Sequence, residues 1–177
     1  MFNKIKTERL ILRPLCEGDL YTTHEYAGDI DNTKYMIFLP NKTLGQTKTF
    51  LHNAALEWEK ENPAFYELAV MLGNKHIGAV SVWIEEECIA ELGWILHRDY
   101  CGRGYATEAS LAIKAFAIEQ LKAKKLVAHC DSRNKASQRV MQKLGMSLEV
   151  SDGIRTYPDE RGSAVEYMYS LLVGTRL

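Results

Sequence analysis

The stretch Tyr100-Cys101-Gly102-Arg103-Gly104-Tyr105-Ala106-Thr107-Glu108 constrains this chain more than any other. It follows an apolar, strand-like run over residues 92–96 and opens a long helical pattern. Two glycines one residue apart let the backbone turn tightly and let a ligand approach the main chain closely. A helix that begins just after them aims its unpaired N–H groups and positive dipole end at that ligand. A phosphate or pyrophosphate suits the geometry. The plain alternative is a glycine-rich turn that binds nothing.

Two other motifs compete for the segment. Gly102-x-Gly104 can open a dinucleotide fingerprint, with Asp131 closing the next strand-like run as a ribose-binding acid would. Thr107 stands where the third glycine belongs, however, and the unit sits mid-chain rather than opening a repeated βαβ array. A Walker loop needs Gly-Lys-Ser/Thr, which is absent here.

A second signature lies downstream: Asn134-Lys135-Ala136-Ser137-Gln138-Arg139-Val140-Met141-Gln142-Lys143-Leu144-Gly145-Met146. Together the two segments resemble the GNAT superfamily of acyl-CoA-dependent N-acyltransferases. The first is similar to its pyrophosphate loop, with Gly104 and Ala106 in the last two motif places. The second is similar to its Asn-x-x-Ser/Ala helix, which ends in Leu-Gly-Phe. The opening Thr7-Glu8-Arg9-Leu10-Ile11-Leu12-Arg13-Pro14-Leu15 resembles the ribosomal-protein N-terminal (RimJ/RimL-like) acetyltransferase branch. The likeness runs from about residue 6 to residue 172, and the order and spacing of its motifs make it specific.

Bulk properties agree with one globular unit over residues 1–177. The chain is 46% apolar and 25% charged, ordinary values for a packed domain with a substantial core. A net charge of −1 gives no global field to attract nucleic acid or membrane. Lys122, Lys124 and Lys125 read as a solvated helix end. Cys16, Cys88, Cys101 and Cys130 contain no Cys-x-x-Cys pair, so no zinc site is expected. No apolar signal segment or membrane-length run is present, so a reducing cytoplasm is the expected compartment. The five histidines show no metal-ligand spacing, and single structural roles are expected of them.

Periodicity predicts a strand at 9–15, a helix at 17–27, mostly loop over 29–43 and a helix at 44–61, where Phe50, Leu51, Ala54, Ala55 and Trp58 recur at helical spacing. Three close-spaced antiparallel strands follow at 64–72, 75–84 and 88–96, with turns at Gly73-Asn74 and Glu85-Glu86. Then come a helix (104–121), a strand (126–130), a helix (135–144) and strands at 146–150 and 164–172. The expected class is mixed α/β (α+β), a mostly antiparallel central sheet flanked by helices. The resemblance implies the same fold.

What the resemblance implies about chemistry can be placed residue by residue. Acetyl-CoA is the expected cosubstrate. Its pyrophosphate would meet the backbone of Gly102, Arg103, Gly104, Tyr105, Ala106 and Thr107. Arg103 can add a cationic contact or simply face solvent. Trp94, Ile95 and Leu96 occupy the splayed strand that pairs with the pantetheine arm. Asn134 would cap its helix and also reach that arm. Glu91 is the candidate base, with a backbone N–H near Trp94 or Ile95 for the carbonyl oxygen. The family's usual acid, a tyrosine seven residues after the motif asparagine, is replaced by Met141. Ser137 is the candidate donor to the departing sulfur, with solvent as the alternative. Cys101 reads as a buried structural thiol rather than a nucleophile, since no His and acid partners stand at motif spacing. Tyr35, Met36, Phe38 and Leu39 follow the first helix, a common place for substrate contacts in this fold or equally a place for core residues. Tyr157, Asp159, Glu160 and Arg161 stand where they can close over an amine, and neither cluster identifies the acceptor.

The expected activity is acetyl-CoA-dependent N-acetylation of a primary amine, on a protein N-terminus or a small molecule, by direct attack in a ternary complex. Neither metal nor membrane nor nucleic acid is expected, and a homodimer stays open. The competing reading is a non-catalytic acyl-CoA-binding module on the same scaffold, which Met141 keeps in view. A nucleotide-dependent oxidoreductase is a third reading, disfavoured by Thr107 and the lone βαβ-like unit.

Overall fold

The computed structural model describes residues 4–86 and 88–174. Eight strands form one sheet: β1 (Ile5–Lys6), β2 (Leu10–Pro14), β3 (Phe65–Leu72), β4 (Lys75–Glu86), β5 (Ile89–Leu96), β6 (Lys125–Asp131), β7 (Ser147–Thr156) and β8 (Ser163–Leu172). Their order is β1-β2-β3-β4-β5-β6-β8-β7, and every neighbouring pair is antiparallel except β5–β6. The helices are α1 (Leu20–Ala27), α2 (Ile30–Thr33), α3 (Leu44–Glu59), α4 (Tyr105–Glu119) and α5 (Lys135–Lys143).

Local sequence explains where the helices begin and which face they bury. Thr43 and Gln46 form a reciprocal capping box at the start of α3. Thr47, Leu51 and Ala54 then recur on one buried stripe. On α4 the stripe is Ala109, Ile113, Phe116 and Ala117. Strand alternation divides the core between the two sheet faces. Leu68, Val70, Val80, Val82 and Leu92 pack on the α4 face, where Val140 and Met141 of α5 join them. Ala69 packs with Leu15 and Leu51 on the opposite face, and Ala79 with Tyr26 and Ala27.

Four sequence expectations need adjustment. The helix expected over 17–27 is a 3-10 turn (Glu17–Asp19) followed by α1. A short helix, α2, interrupts the expected loop because the Asp29 side chain accepts from the N–H groups of Asp31 and Asn32. β7 runs on to Thr156, held by β8 through two irregularities in register. β4 also continues through Glu85-Glu86 instead of turning there, since β5 pairs with it as far as Glu86↔Ile89. That extension puts Glu85 beside Glu91.

Candidate active site

The parallel pair β5–β6 holds together over only three positions, Ile89↔Lys125, Ala90↔Leu126 and Glu91↔Val127. Beyond Glu91 each strand keeps its other neighbour: β5 stays on β4 to Leu96, and β6 stays on β8 to Asp131. A wedge therefore opens in the sheet. His97 donates its N–H to Ile77 of β4, so alternation turns the main chain of residues 95 and 93 toward β4. The same alternation turns residues 96 and 94 into the wedge. The Leu96 carbonyl there already accepts from Asn32 Nδ2 at 3.0 Å. Trp94 thus offers the free main-chain groups, while Ile95 contributes its side chain.

A cleft of about 940 Å³ fills the wedge, a volume that suits a cofactor-sized ligand. Gly102, Gly104, Tyr105, Ala106 and Thr107 line one end, with Asn134 and Ser137 along the side. Trp94, Ile95 and Leu96 line the middle, and Glu91 lies toward the other end with Ser81, Trp83, Glu85 and His129. Arg103 is not among the lining residues; its carbonyl accepts from Arg9 Nη1 at 3.1 Å, and its guanidinium sits 5.9 Å from the Tyr100 ring.

The glycine loop has the backbone that its sequence demands. Gly102 and Gly104 adopt φ of 76° and 82°, the left-handed region. A Cβ on Gly102 would meet nothing within 4 Å, so the space above the loop is open. Gly104 caps α4 with no side-chain bond, and the first helical bond is Glu108 N–H to Gly104 O. That leaves the N–H groups of Tyr105, Ala106 and Thr107 directed at the cleft, the pattern of an anion site. The opening segment of the chain braces this turn: Glu108 accepts from Thr7 Oγ1 at 2.6 Å and from Arg9 Nε at 2.6 Å. Burial alone would raise the Glu108 carboxyl, but these bonds outweigh it and hold the group low.

Asn134 caps α5 by accepting from Ser137 N–H at 3.1 Å, and both residues line the cleft. Met141 is fully buried in the core, so no proton donor stands at the family's tyrosine place. Cys101 corrects an expectation: it is exposed, not buried. Its Sγ lies 3.8 Å from the His97 carbonyl, and desolvation raises the thiol, the opposite of an activated nucleophile.

The sequence reading missed the partner of Glu91. His129, on β6 two residues beyond Val127, the last residue there to pair with β5, places Nδ1 at 3.1 Å from Glu91 Oε1. The hydrogen bond to Glu91 raises the imidazole against the lowering effect of burial. Glu85 lies close enough that burial first, then the Glu91 charge, push its carboxyl upward. Glu85, Glu91 and His129 bring three metal-type donor atoms within 4.8 Å of one another. No spacing rule finds this trio, because its members come from β4, β5 and β6.

The expected acceptor loop does line the cleft: Tyr35, Met36, Phe38 and Leu39 are all on its wall. Tyr157, Asp159, Glu160 and Arg161 are not. Arg161 instead bonds the loop's carbonyls, and Asp159 holds Arg161, so the possibility that these four close directly over an amine is corrected.

This geometry agrees with independent comparisons. The family description "Acetyltransferase (GNAT) domain" matches residues 9–147. The chain belongs to the GNAT acetyltransferase family. It is 29% identical over 153 residues to YnaD, an uncharacterized N-acetyltransferase of Bacillus subtilis, covering 82% of this chain and 83% of the relative. A GNAT-family acetyltransferase from Bacillus anthracis superposes with a TM-score of 0.81 at 27% identity, covering 96% and 98% of the two chains. RimL, a ribosomal L7/L12 alpha-N-protein acetyltransferase solved with coenzyme A, superposes with a TM-score of 0.81 at 17% identity over 97% and 98%, a likeness of fold. The open eight-stranded sheet is the GNAT fold, and the chain is an acetyl-CoA-dependent acyltransferase. Among the described residues no helix is long and apolar enough to cross a membrane.

Proposed function

We propose that this chain acetylates a primary amine, on a protein N-terminus or a small molecule, by direct attack with both substrates bound. One observation carries the reading: a single wedge joins a main-chain anion site at one end to a carboxylate–imidazole pair at the other. When bound, acetyl-CoA supplies the acyl group and a thiolate leaving group. The residues present fit it: open space above Gly102, three free N–H groups at α4 and an unpaired strand edge at Trp94.

The main-chain N–H groups of Tyr105, Ala106 and Thr107 hold the pyrophosphate, each charge-assisted bond contributing roughly 1.5–3 kcal/mol. Trp94 pairs with the pantetheine arm, and Asn134 Nδ2 reaches it from the side. Glu91 removes the proton of the attacking ammonium, directly or through one water, while His129 holds the carboxylate in place. A C–N bond forms and the C–S bond breaks. The nitrogen's second proton passes to the departing thiolate, relayed through the Ser137 hydroxyl or through solvent, so Ser137 ends as a hydroxyl, and Glu91 releases its proton to solvent. The Trp94 N–H serves as donor to the carbonyl oxygen. The RimL-like branch is supported by the opening segment, which here braces Glu108 under the phosphate loop.

Two measurements test the reading. Thermal unfolding with coenzyme A, acetyl-CoA and NAD in separate wells should show stabilisation by the coenzyme A ligands alone, about 2.7 kcal/mol at 100 times the dissociation constant. Stabilisation by NAD alone would overturn it. Thiol release on addition of primary amines should then distinguish a transferase from a non-catalytic acyl-CoA-binding module, which would bind and not turn over.

A further inference from the structure

The wall of the acceptor end, residues 34–39, belongs to neither helix nor strand. Its backbone carbonyls have no ladder to enter, yet most of them are satisfied. Arg161, on the turn between β7 and β8, satisfies them. Its Nη1 donates to the carbonyls of Thr33 at 3.4 Å, Lys34 at 3.0 Å and Met36 at 3.1 Å. Its Nη2 donates to Leu39 at 3.0 Å, and its Nε to Asp159 at 2.8 Å. A second arginine, Arg155 of β7, takes the one between: Nη2 donates to the Tyr35 carbonyl at 3.1 Å. The wall is thus gripped from behind by side chains more than 100 residues away in sequence.

The grip has a rigid back. The Arg161 guanidinium lies 4.2 Å above the Tyr157 ring. Tyr157 is buried and donates its hydroxyl to Asp131 Oδ2 at 2.8 Å. Asp131 is fully buried, is clamped by Arg133, and its carbonyl accepts the N–H of Asn134 at 2.8 Å. Asn134 is the cap of α5 on the cofactor side. One contiguous chain of contacts therefore runs from the acceptor wall to the cofactor wall: carbonyls 33–39, Arg161, Tyr157, Asp131, Asn134.

We propose that Arg161 is the positioning residue for the acceptor: by holding residues 34–39 in one conformation it sets which amines the cleft takes, without touching the amine. The guanidinium suits this role because its planar fork presents five donors, and both terminal nitrogens and Nε are engaged. A lysine ammonium cannot reach four spread carbonyls and Asp159 at once. Selectivity resides in Tyr35, Met36 and Phe38, whose placement depends on this grip. The catalytic half of the proposal rests on the acetyltransferase reading above; the structural half does not.

The test has two arms that fail separately. Hydrogen exchange is measured on coenzyme A-bound wild type, Arg161→Ala and Arg161→Lys. Exchange in peptides spanning 33–40 should quicken at least about tenfold in the alanine variant, less in the lysine variant, with α4 and β3 unchanged. Unchanged protection in 33–40 would overturn the proposal. In the second arm, thiol release from acetyl-CoA is followed with phenethylamine, spermine and a free-N-terminal dipeptide amide. With the amine wild type uses best, Arg161→Ala should raise the amine KM about tenfold or more, leave the acetyl-CoA KM within about twofold, and flatten the preference among the three. Equal weakening of both constants would mean a general structural role and would overturn it. If Arg161→Ala does not fold, Asp159→Asn, which loosens the guanidinium alone, should give the same pattern weakly; no such pattern overturns the proposal. A wild type that binds coenzyme A but turns over none of the amines defeats the transferase reading instead, and the exchange arm then decides Arg161 alone.

Discussion

The two ends of the cleft are built in opposite ways. The end proposed for the cofactor is mostly main chain, with N–H groups at the start of α4 and the free edge at Trp94, and its one side-chain element is the Asn134 cap. The acceptor end is side chain: Glu85, Glu91 and His129 from three strands, with a loop gripped by Arg155 and Arg161. Main-chain groups cannot be substituted away, so the first end is tolerant of residue identity and strict about glycine. Side chains can be exchanged singly, so the second end can change its amine while the first keeps its cofactor. Such a division lets one fold serve many acceptors.

The largest expected effect would break the main-chain end. Gly104→Val forces a β-branched residue into φ of 82° and places its Cβ 3.4 Å from Arg9 Nη2. Loss of even two phosphate bonds, at roughly 1.5–3 kcal/mol each, weakens coenzyme A about 10²–10⁴-fold. Calorimetric titration with coenzyme A measures this, and unchanged affinity would remove the loop from the cofactor site. Gly102→Ala sharpens the result. Its Cβ would touch no protein atom within 4 Å, but φ of 76° strains any side chain there, so loss of affinity reports the ligand's own approach only where the melting temperature without ligand is unchanged.

Next in size is a change at the other end. Glu91→Gln should leave coenzyme A affinity unaltered and lower turnover at neutral pH by about 10²-fold or more, the usual contribution of a positioned base. Equal turnover would take Glu91 out of the mechanism. Affinity and turnover would then no longer divide between the two ends.

A smaller effect tests where the ends meet. Asn134→Ala removes the cap of α5, which is worth about 1 kcal/mol and, for a chain of this size, about 2–4 °C in melting temperature. If Asn134 Nδ2 also reaches the pantetheine arm, coenzyme A affinity falls as well, whereas Asn134→Ser keeps the cap and loses only the ligand bond. Differential melting with and without coenzyme A separates the two contributions.

The asymmetry also explains what could be read in advance. The glycine loop and the Asn134 cap are local: each needs neighbours only a few residues away, so the residue types announce the geometry. The helices α3 and α4 were legible from periodicity for the same reason. The wedge was not, because it depends on where β5 and β6 stop pairing, a matter of register between residues as far apart in sequence as Glu91 and Val127. His129 read as an isolated histidine, since nothing near it in sequence shows that β6 sets it against Glu91. Glu85-Glu86 read as a turn on propensity, yet cross-strand pairing with β5 keeps β4 extended there. Arg161 stands out in its loop by residue type, but its target carbonyls lie more than 100 residues back.

The smallest effect concerns the charge state of the acceptor end. His129 is raised above its ordinary value near 6.5 mainly by its hydrogen bond to Glu91. Because the folded value exceeds the unfolded one, this pair adds stability that is fully present below about pH 6.5. That stability is lost as pH rises through the folded value. In Glu91→Gln the main cause disappears, so the His129 titration, followed by its ring proton NMR signals, should move to lower pH. The pH-dependent part of the stability should shrink with it. Glu85→Gln should move the same titration in the same direction by less, since Glu85 acts on His129 only through its charge. A titration that ignores Glu91 and follows Glu85 would mean that His129 partners the outer carboxylate in solution. The base of the reaction would then have to be sought on β4 rather than β5.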